Sequence, residues 1–205
     1  RMALLASVPA MLGLVLMAEP LNATLYQYGR FTEFDTRMAA LSLMGLSIGL
    51  PGFMLAKVLA PAFYARQDTR APVRAAVLTV IANLALMAAI TGFLAWRGVE
   101  GAHAGIALAT ALAGTLNAVL LWRALGREGT HRPSPGWPRF LSRTALASLA
   151  MVGFLLWARH EVGAWSALAP AWRVIHLAWI VAGSAAIYAV ALLAMGMRPR
   201  HLREE

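Results

Sequence analysis

Residues 75–96, AAVLTVIANLALMAAITGFLAW, form an uncharged apolar run, and the short segment 97–100 separates it from a second run at residues 101–122. A bilayer core of roughly 30 Å requires about 20 helical residues, so either run is long enough to cross a membrane. Neither run alternates apolar and polar positions as a strand of a membrane barrel does. The pair therefore predicts two membrane-spanning helices joined by a tight turn.

Similar apolar runs recur along the rest of the chain, at residues 2–18, 38–56, 144–158 and 174–197. The composition agrees, since 60% of residues are hydrophobic, 13% are charged and the mean hydropathy is +0.65. A soluble domain carries about 25% charged residues. The chain has no cysteine, which excludes disulfides and thiolate metal ligands. The sequence thus predicts an all-α polytopic membrane protein with six transmembrane helices.

The arginines fall mainly into every second gap between these runs. One side would hold Arg1, Arg66, Arg70, Arg74, Arg123, Arg127, Arg132, Arg139, Arg143, Arg198, Arg200 and Arg203. The other would hold Arg30, Arg37, Arg97, Arg159 and Arg173. Because basic residues are enriched in cytoplasmic loops, both termini are predicted to be cytoplasmic. The net charge of +9 then lies at membrane edges, so we expect membrane lipids as its partners, and not nucleic acid.

Two features suggest how the chain is divided. It begins with Arg1 and shows no signal-peptide pattern, so we expect a piece of a longer membrane protein, with a free-standing six-helix protein as the alternative. Residues 127–138 are rich in glycine and proline and predict a cytoplasmic linker. Four transmembrane helices would precede it in residues 1–126, and two more with a short basic tail would follow in residues 139–205.

Prolines and glycines interrupt several of the predicted helices. Pro9 and Pro20 each remove a backbone donor from the first helix and predict kinks there. Pro51, within the sequence Gly-Leu-Pro-Gly at 49–52, predicts a bend that serves either as a hinge or as a static kink. Stripes of small residues four apart predict close helix packing. They comprise Gly45 and Gly49 in the second helix, and Gly101, Gly105, Ala109 and Ala113 in the fourth.

Few polar side chains interrupt the apolar runs. Lys57 either lines a polar cavity or extends its charge to the lipid headgroups, and Glu19 is expected at a membrane interface. Asn83, four residues after Thr79, is expected to bridge helices or to contact a polar ligand. The sequence contains no hydrolase, metalloprotease or phosphate-loop motif, so we do not expect an enzyme.

Two blocks of sequence are long and distinctive. The first is LYQYGRFT at residues 25–32, followed by Asp35 and Thr36. The second is KVLAPAFYARQDTRAPVR at residues 57–74. In their residues and in the spacing between them, these blocks resemble the MurJ (MviN) family of bacterial lipid II flippases. A weaker likeness continues through residues 135–137 towards the C-terminus.

The resemblance implies a fold of fourteen helices, like that of the multidrug and oligosaccharide-lipid exporters, with two lobes around a central cavity. This chain resembles the last six helices, so residues 1–126 would end the second lobe and residues 139–205 would form an additional pair. The implied activity is transfer of lipid II from the inner to the outer leaflet of the cytoplasmic membrane by alternating access. The alternatives are export of another polyprenyl-linked saccharide and a non-transporting membrane scaffold. The partners would be lipid II, membrane lipids and the missing N-terminal helices.

The candidate site residues follow from the polar residues within and beside the apolar runs and from the family resemblance. For the pyrophosphate headgroup or the polar cavity, the candidates are Lys57, Arg66, Arg70, Arg74 and Asn83, although residues 66–74 also fit a role in setting topology alone. For a groove that holds the polyprenyl tail, the resemblance implies Phe154, Leu155, Trp157 and Trp179. Some family members bind sodium through an Asn and an Asp one turn apart. Met87 follows Asn83 at the second position, so no metal site and no cofactor are expected.

Overall fold

A computed structural model describes residues 1–99, 101–127 and 136–197, and within these ranges the chain is helical without strands. The helices are α1 Met2–Leu16, α2 Ala18–Tyr26, α3 Glu33–Ser47, α4 Leu50–Tyr64, α5 Arg70–Trp96, α6 Ala104–Arg127, α7 Trp137–Val162 and α8 Pro170–Ala194, with a 3-10 turn at Trp165–Ala167. Four helices, α5 to α8, are each long and apolar enough to cross a membrane. The count reaches six if the bent pairs α1–α2 and α3–α4 each form one span. The predicted all-α membrane fold is confirmed.

The helices group into two compact units. The first comprises Arg1–Ala40 and Gly136–Glu205, and the second comprises Leu41–Pro135. In the first unit, α7 packs on α8 and on α1, while α8 also contacts α2. In the second unit, α6 packs on both α4 and α5. This grouping differs from the predicted division, in which α7 and α8 stand apart from residues 1–126. The reason is that side chains of α7 and α8 contact the bent α1–α2 pair.

The α1–α2 pair bends by 68° at Met17. Pro20 lies in the first turn of α2, where a helix tolerates proline because that turn has no intrahelical partner for its N–H groups. Pro9, by contrast, lies inside α1 without interrupting it. Pro9 leaves the carbonyl of Leu5 without its helical donor, and the Tyr188 hydroxyl of α8 donates to that oxygen at 2.7 Å. The kink predicted near Pro20 is therefore confirmed, and α1 continues through Pro9.

We expect Tyr188→Phe to destabilise the first unit by about 1–3 kcal/mol, because it leaves the half-buried Leu5 carbonyl without a donor and changes no other atom. Thermal unfolding in detergent micelles measures the change. Tyr64→Phe is the matched control, since Tyr64 is 58% exposed. That variant should stay within about 0.5 kcal/mol of the parent protein. Equal losses in the two variants would contradict the role of the Tyr188 hydroxyl.

The start of α3 is stabilised by hydrogen bonds between Thr32 and Asp35. Asp35 or Thr36 fits an N-cap by residue type, but the helix begins at Glu33. The Thr32 hydroxyl accepts a hydrogen bond from the Asp35 N–H at 3.2 Å, and the Asp35 carboxylate accepts one from the Thr32 N–H at 2.8 Å. This reciprocal pair is a capping box. Asp35 thus supports the cap from the first turn instead of forming it.

Gly45 and Gly49 pack closely against α6, which confirms the predicted close packing, and Gly52 of α4 does the same. A Cβ atom placed on Gly49 would lie 2.5 Å from the Ala111 Cα atom, and one on Gly52 would lie 2.6 Å from the Thr115 Cα atom. Gly105 on α6 faces α5 instead, where its Cβ would meet the Ile90 side chain at 3.1 Å. Small residues thus let α6 approach helices on both sides, which is how membrane helices gain van der Waals contact.

Burial is uneven among the helices of the second unit. In the most apolar stretch of α5 no residue is buried, whereas 39% of the corresponding stretch of α6 is. The buried side chains at one end of the unit are Phe63 of α4, Ala75 of α5, and Leu121 and Leu125 of α6. This small cluster fixes which helix ends meet.

Candidate functional site

A group of arginines lies at one end of the second unit. The cluster around Phe63 brings together the C-terminal ends of α4 and α6 and the N-terminal end of α5. Around these ends lie four exposed arginines, which we call the basic end: Arg66, Arg70, Arg74 and Arg123. The structure therefore assembles three of the predicted substrate-binding residues. Arg123 was not among them, because its place beside α5 depends on the packing of α6.

The turn between α4 and α5 holds part of this group in position. The Asp68 carboxylate accepts hydrogen bonds from the Arg70 N–H at 2.9 Å and from the Ala71 N–H at 3.3 Å. The Asp68 N–H donates to the Phe63 carbonyl at 3.1 Å, and Gln67 adopts a left-handed conformation with φ of 59°. Because both helix ends are bonded through the same turn, Arg66 and Arg70 are carried on a defined backbone.

Lys57 and Asn83 do not belong to the basic end. Lys57 is exposed on α4, about 10 Å along the helix from Tyr64, and Asn83 lies about 20 Å along α5 from Arg70. The Asn83 Oδ1 atom is buried without a hydrogen-bond partner among the described residues, as is the Thr79 hydroxyl. The side-chain oxygen of Asn83 therefore does not accept the expected interhelical hydrogen bond from any described residue. The predicted residues fall into separate places on the second unit.

Pro51 occupies the second position of α4, directly after a break between α3 and α4 at which the helices bend by 41°. Proline fits this place because the N–H groups of a first helical turn need no intrahelical acceptor. The bend predicted at residues 49–52 is therefore present. Its role as a moving hinge stays a prediction.

An aromatic cluster joins α7 to α8 in the first unit. The Phe154 ring centroid lies 5.8 Å from that of Trp157 and 5.7 Å from that of Trp179, the latter pair edge to face. Gly183 makes room for Phe154, since a Cβ there would lie 2.8 Å from the end of the ring. Three of the four residues predicted for a lipid-tail groove thus lie together, and both tryptophans are exposed.

Leu155, the fourth residue predicted for that groove, is 1% exposed. It packs with Met17, Ala158 and Ile180 in the core of the first unit. Successive helical residues point in directions about 100° apart, so Leu155 faces α1 while Phe154 faces the aromatic cluster. The prediction that Leu155 lines the groove is wrong.

A polar cleft of about 290 Å³ lies in the first unit, between α2, the start of α3 and the segment that joins α7 to α8. Within it, the Arg159 guanidinium forms an ion pair with Glu19 at 2.9 Å, with both side chains about two fifths exposed. Arg37 and Glu33 also line the cleft. The charges of the lining residues balance, so the cleft has no strong preference for an anion or a cation.

Arg173 lies beside this cleft and is 7% exposed. Its guanidinium donates to the carbonyls of Leu168 at 2.9 Å, Ser166 at 2.7 Å and Ala23 at 3.2 Å, and to the Gln27 amide oxygen at 3.3 Å. The Trp165 indole N–H donates to the Thr24 hydroxyl at 2.9 Å nearby. These bonds attach the C-terminal end of α2 to the α7–α8 connection. From the sequence, Arg159 and Arg173 contributed only to the orientation argument.

Comparisons with known proteins identify related chains. The family model described as Lipid II flippase MurJ matches residues 1–183. A probable lipid II flippase MurJ of Vibrio cholerae is 35% identical, over 99% of this chain and 37% of that protein. Its counterpart in Haemophilus influenzae is 33% identical, over 98% of this chain and 38% of that protein. The lipid II flippase MurJ of Burkholderia cenocepacia is 33% identical, over 99% and 38% respectively.

A solved structure is similar to this fold as well. It is described as lipid II flippase MurJ in an inward closed conformation, and it matches with a TM-score of 0.67 and 23% identity. The match covers 94% of this chain and 35% of that one. The chain spans a little over a third of the length of the relatives it matches.

Proposed function

Because the chain belongs to the MurJ family of lipid II flippases, we propose that it takes part in moving lipid II from the inner to the outer leaflet of the bacterial cytoplasmic membrane. The observation that carries this proposal is the family match over residues 1–183, together with four to six helices apolar enough to cross a membrane. A flippase moves its substrate without making or breaking covalent bonds in it. The role is therefore that of a transporter and not of an enzyme.

The basic end supplies the charge that such a substrate requires. Lipid II carries a pyrophosphate, and arginine binds phosphate oxygens through paired, charge-assisted hydrogen bonds. Arg70 and Arg74 are one helical turn apart on α5 and share a face, and both are exposed. We assign to these residues, with Arg66 and Arg123, the attraction of the anionic headgroup at the cytoplasmic face. Lys57 and Asn83, deeper along α4 and α5, would meet the headgroup later in its passage.

The aromatic cluster offers a surface for the polyprenyl tail. Trp157 of α7 and Trp179 of α8 are 55% and 42% exposed, and the ring of Phe154 contacts both of them. An apolar chain gains dispersion contact with such rings without any polar group being buried. The tail would stay at the α7–α8 surface while the headgroup crosses.

In this mechanism the lobes rock about the bound headgroup, and the α3–α4 bend beside Pro51 is the hinge. Residues 1–126 would complete the second lobe, residues 127–138 would form a cytoplasmic linker, and residues 139–205 would add the α7–α8 pair. The linker falls largely outside the described residues. Because α7 and α8 pack on α1 and α2, we expect these four helices to move together. Both ends of the chain would lie in the cytoplasm, as the arginine-rich gaps predict.

Arg70→Gln tests the role of the basic end. We expect lipid II translocation to slow about fivefold, the factor that corresponds to roughly 1 kcal/mol of attraction for one basic residue near a charged surface. Loss of helix stability cannot explain such a change, because a cation in the first turn opposes the helix dipole. The rate is measured with the full-length protein in vesicles that contain labelled lipid II.

Arg97→Gln is the matched control, since Arg97 is exposed and directly follows the other end of α5. It should change the rate less than twofold. With any cysteine outside residues 1–205 replaced, a cysteine at Gly126 should remain accessible only from the cytoplasmic side in each variant. This measurement separates substrate attraction from topology. Equal slowing by both substitutions contradicts the assignment of the basic end. Transport of other polyprenyl-linked saccharides in preference to lipid II, or no transport at all, contradicts the proposed substrate or the proposed activity.

A further inference from the structure

The break between α1 and α2 leaves one backbone carbonyl in need of a donor. In a continuous helix the Leu16 carbonyl would accept the N–H of residue 20, but Pro20 has none. Arg159 of α7 supplies the missing bond, as its Nη1 atom donates to the Leu16 oxygen at 3.0 Å. The donor comes from a residue 143 positions away along the chain. The bend is therefore completed by a side chain of another helix.

The same guanidinium also contacts the other side of the break. Its Nη2 atom donates to the Glu19 carboxylate at 2.9 Å. Leu16 is the last residue of α1 and Glu19 is the second residue of α2, so Arg159 spans the break with its two terminal nitrogens. Glu19 also stands in the first turn of α2, where a carboxylate favours the helix dipole.

The two arms of the bend are each held by a side chain of α8. Tyr188 of α8 donates to the Leu5 carbonyl in α1, and Arg173 of α8 donates to the Ala23 carbonyl in α2. Those contacts fix each arm at a distance from the break. Arg159 contacts the break itself, so it is the side chain placed to determine the angle between the arms.

We propose that Arg159 is a positioning residue that sets the bend of the α1–α2 span. It supplies the hydrogen bond that Pro20 cannot make, and it links the ends of the two helices through Leu16 and Glu19. The α7–α8 pair thereby determines the path of a neighbouring span, in addition to offering a surface for a lipid tail. This inference does not depend on the proposed transport, since it concerns a conformation that is measured without substrate.

Distances between spin labels at positions 6 and 25 test it. Residues 1–205 contain no cysteine, and both Ala6 and Leu25 are exposed. With any cysteine elsewhere in the full-length protein replaced, Ala6→Cys and Leu25→Cys place one label on each arm. With a bend of 68°, the labelled backbone positions lie about 24 Å apart, against about 28 Å for a straight helix. In the full-length protein in lipid nanodiscs we expect a single narrow distribution near the shorter distance.

Arg159→Leu removes both contacts at the break, and we expect the distribution to broaden towards longer distances. Adding Pro20→Ala restores an N–H for the Leu16 carbonyl inside the helix. The double variant should then give a narrow distribution near the longer distance, a shift of about 4 Å. Glu19→Gln leaves the bond to Leu16 in place and should keep the shorter distance.

Arg139→Leu is the matched control, because Arg139 is exposed at the opposite end of α7. It should leave the distribution unchanged. A second label pair at Leu149 and Val190, both exposed on α7 and α8, reports whether these helices remain folded. An unchanged shorter distance in Arg159→Leu, or in the double variant with Pro20→Ala, overturns the proposal. So does an equal change in Arg139→Leu, or unfolding of the α7–α8 pair in every Arg159 variant including Arg159→Lys.

Discussion

Arg173→Met is expected to lower the free energy of unfolding of the first unit by about 3–5 kcal/mol. The substitution keeps a long side chain but removes the donors to the carbonyls of Leu168, Ser166 and Ala23. A buried acceptor left without a partner costs about 1–3 kcal/mol, and the acceptors around Arg173 share one donor group, so their losses occur together. Steric trapping or thermal denaturation of the protein in bicelles measures the change in the free energy of unfolding.

Arg139→Met provides the comparison, since it removes the same charge from an exposed position on α7. It should change the stability by less than about 0.5 kcal/mol. If the two variants lose the same amount, the hydrogen bonds of Arg173 do not stabilise the unit. The comparison also distinguishes buried hydrogen bonding from a general effect of lowering the net charge.

Gly52→Ala is expected to destabilise the second unit by up to about 2 kcal/mol. Its new methyl group would lie 2.6 Å from the Thr115 Cα atom, so α4 and α6 must move apart to accommodate it. Overpacking of this kind costs about 1–3 kcal/mol, and it outweighs the gain of roughly 1 kcal/mol that alanine brings over glycine inside a helix. Reversible unfolding of the protein in micelles measures the net change.

Gly92→Ala separates these two effects. Gly92 lies inside α5 with no atom within 4 Å of where its Cβ would be, so only the helix-propensity gain remains. We expect this variant to be as stable as the parent protein or slightly more stable. A similar response from both glycines would mean that close approach of α4 and α6 does not limit the packing.

The membrane spans could be predicted from the sequence. In lipid, each span must satisfy its backbone hydrogen bonds internally, so a long apolar run is expected to be a helix. The run at residues 75–96 becomes part of α5, and the run at 101–122 lies largely in α6. The glycines at 45 and 49 also indicated close packing, since only small residues permit it. These features depend on local composition alone.

The position of the first bend was harder to predict, because Pro9 and Pro20 remove a backbone donor in the same way. What distinguishes them is the side chain that replaces it. Tyr188 reaches the carbonyl freed by Pro9 inside the continuous helix α1, while Arg159 reaches the one freed by Pro20 at a break. Both donors come from more than 140 positions away, and no local pattern indicates them.

The candidate site was predicted only in part, because some of its contacts join residues that are far apart in the sequence. Arg66, Arg70 and Arg74 are close in sequence and stay together, whereas Arg123 joins them only through the packing of Leu121 and Leu125 against Phe63. Phe154 and Leu155 are neighbours in sequence but face different helices, and the apolar character of both gave no means of telling which one is buried. Which side of α7 is buried depends on where α1 packs against it, and the sequence of α7 alone does not indicate that position.

The absence of buried residues in the most apolar stretch of α5 affects how residues 1–205 behave when they are taken out of a membrane on their own. Hydrocarbon solvates the exposed valine, leucine and isoleucine side chains of that stretch without cost, but water does not. An uncovered apolar surface of this size drives self-association. The detergent chosen for extraction must therefore coat α5 along its whole length. Incomplete coverage of α5 would be detected first as polydispersity during purification.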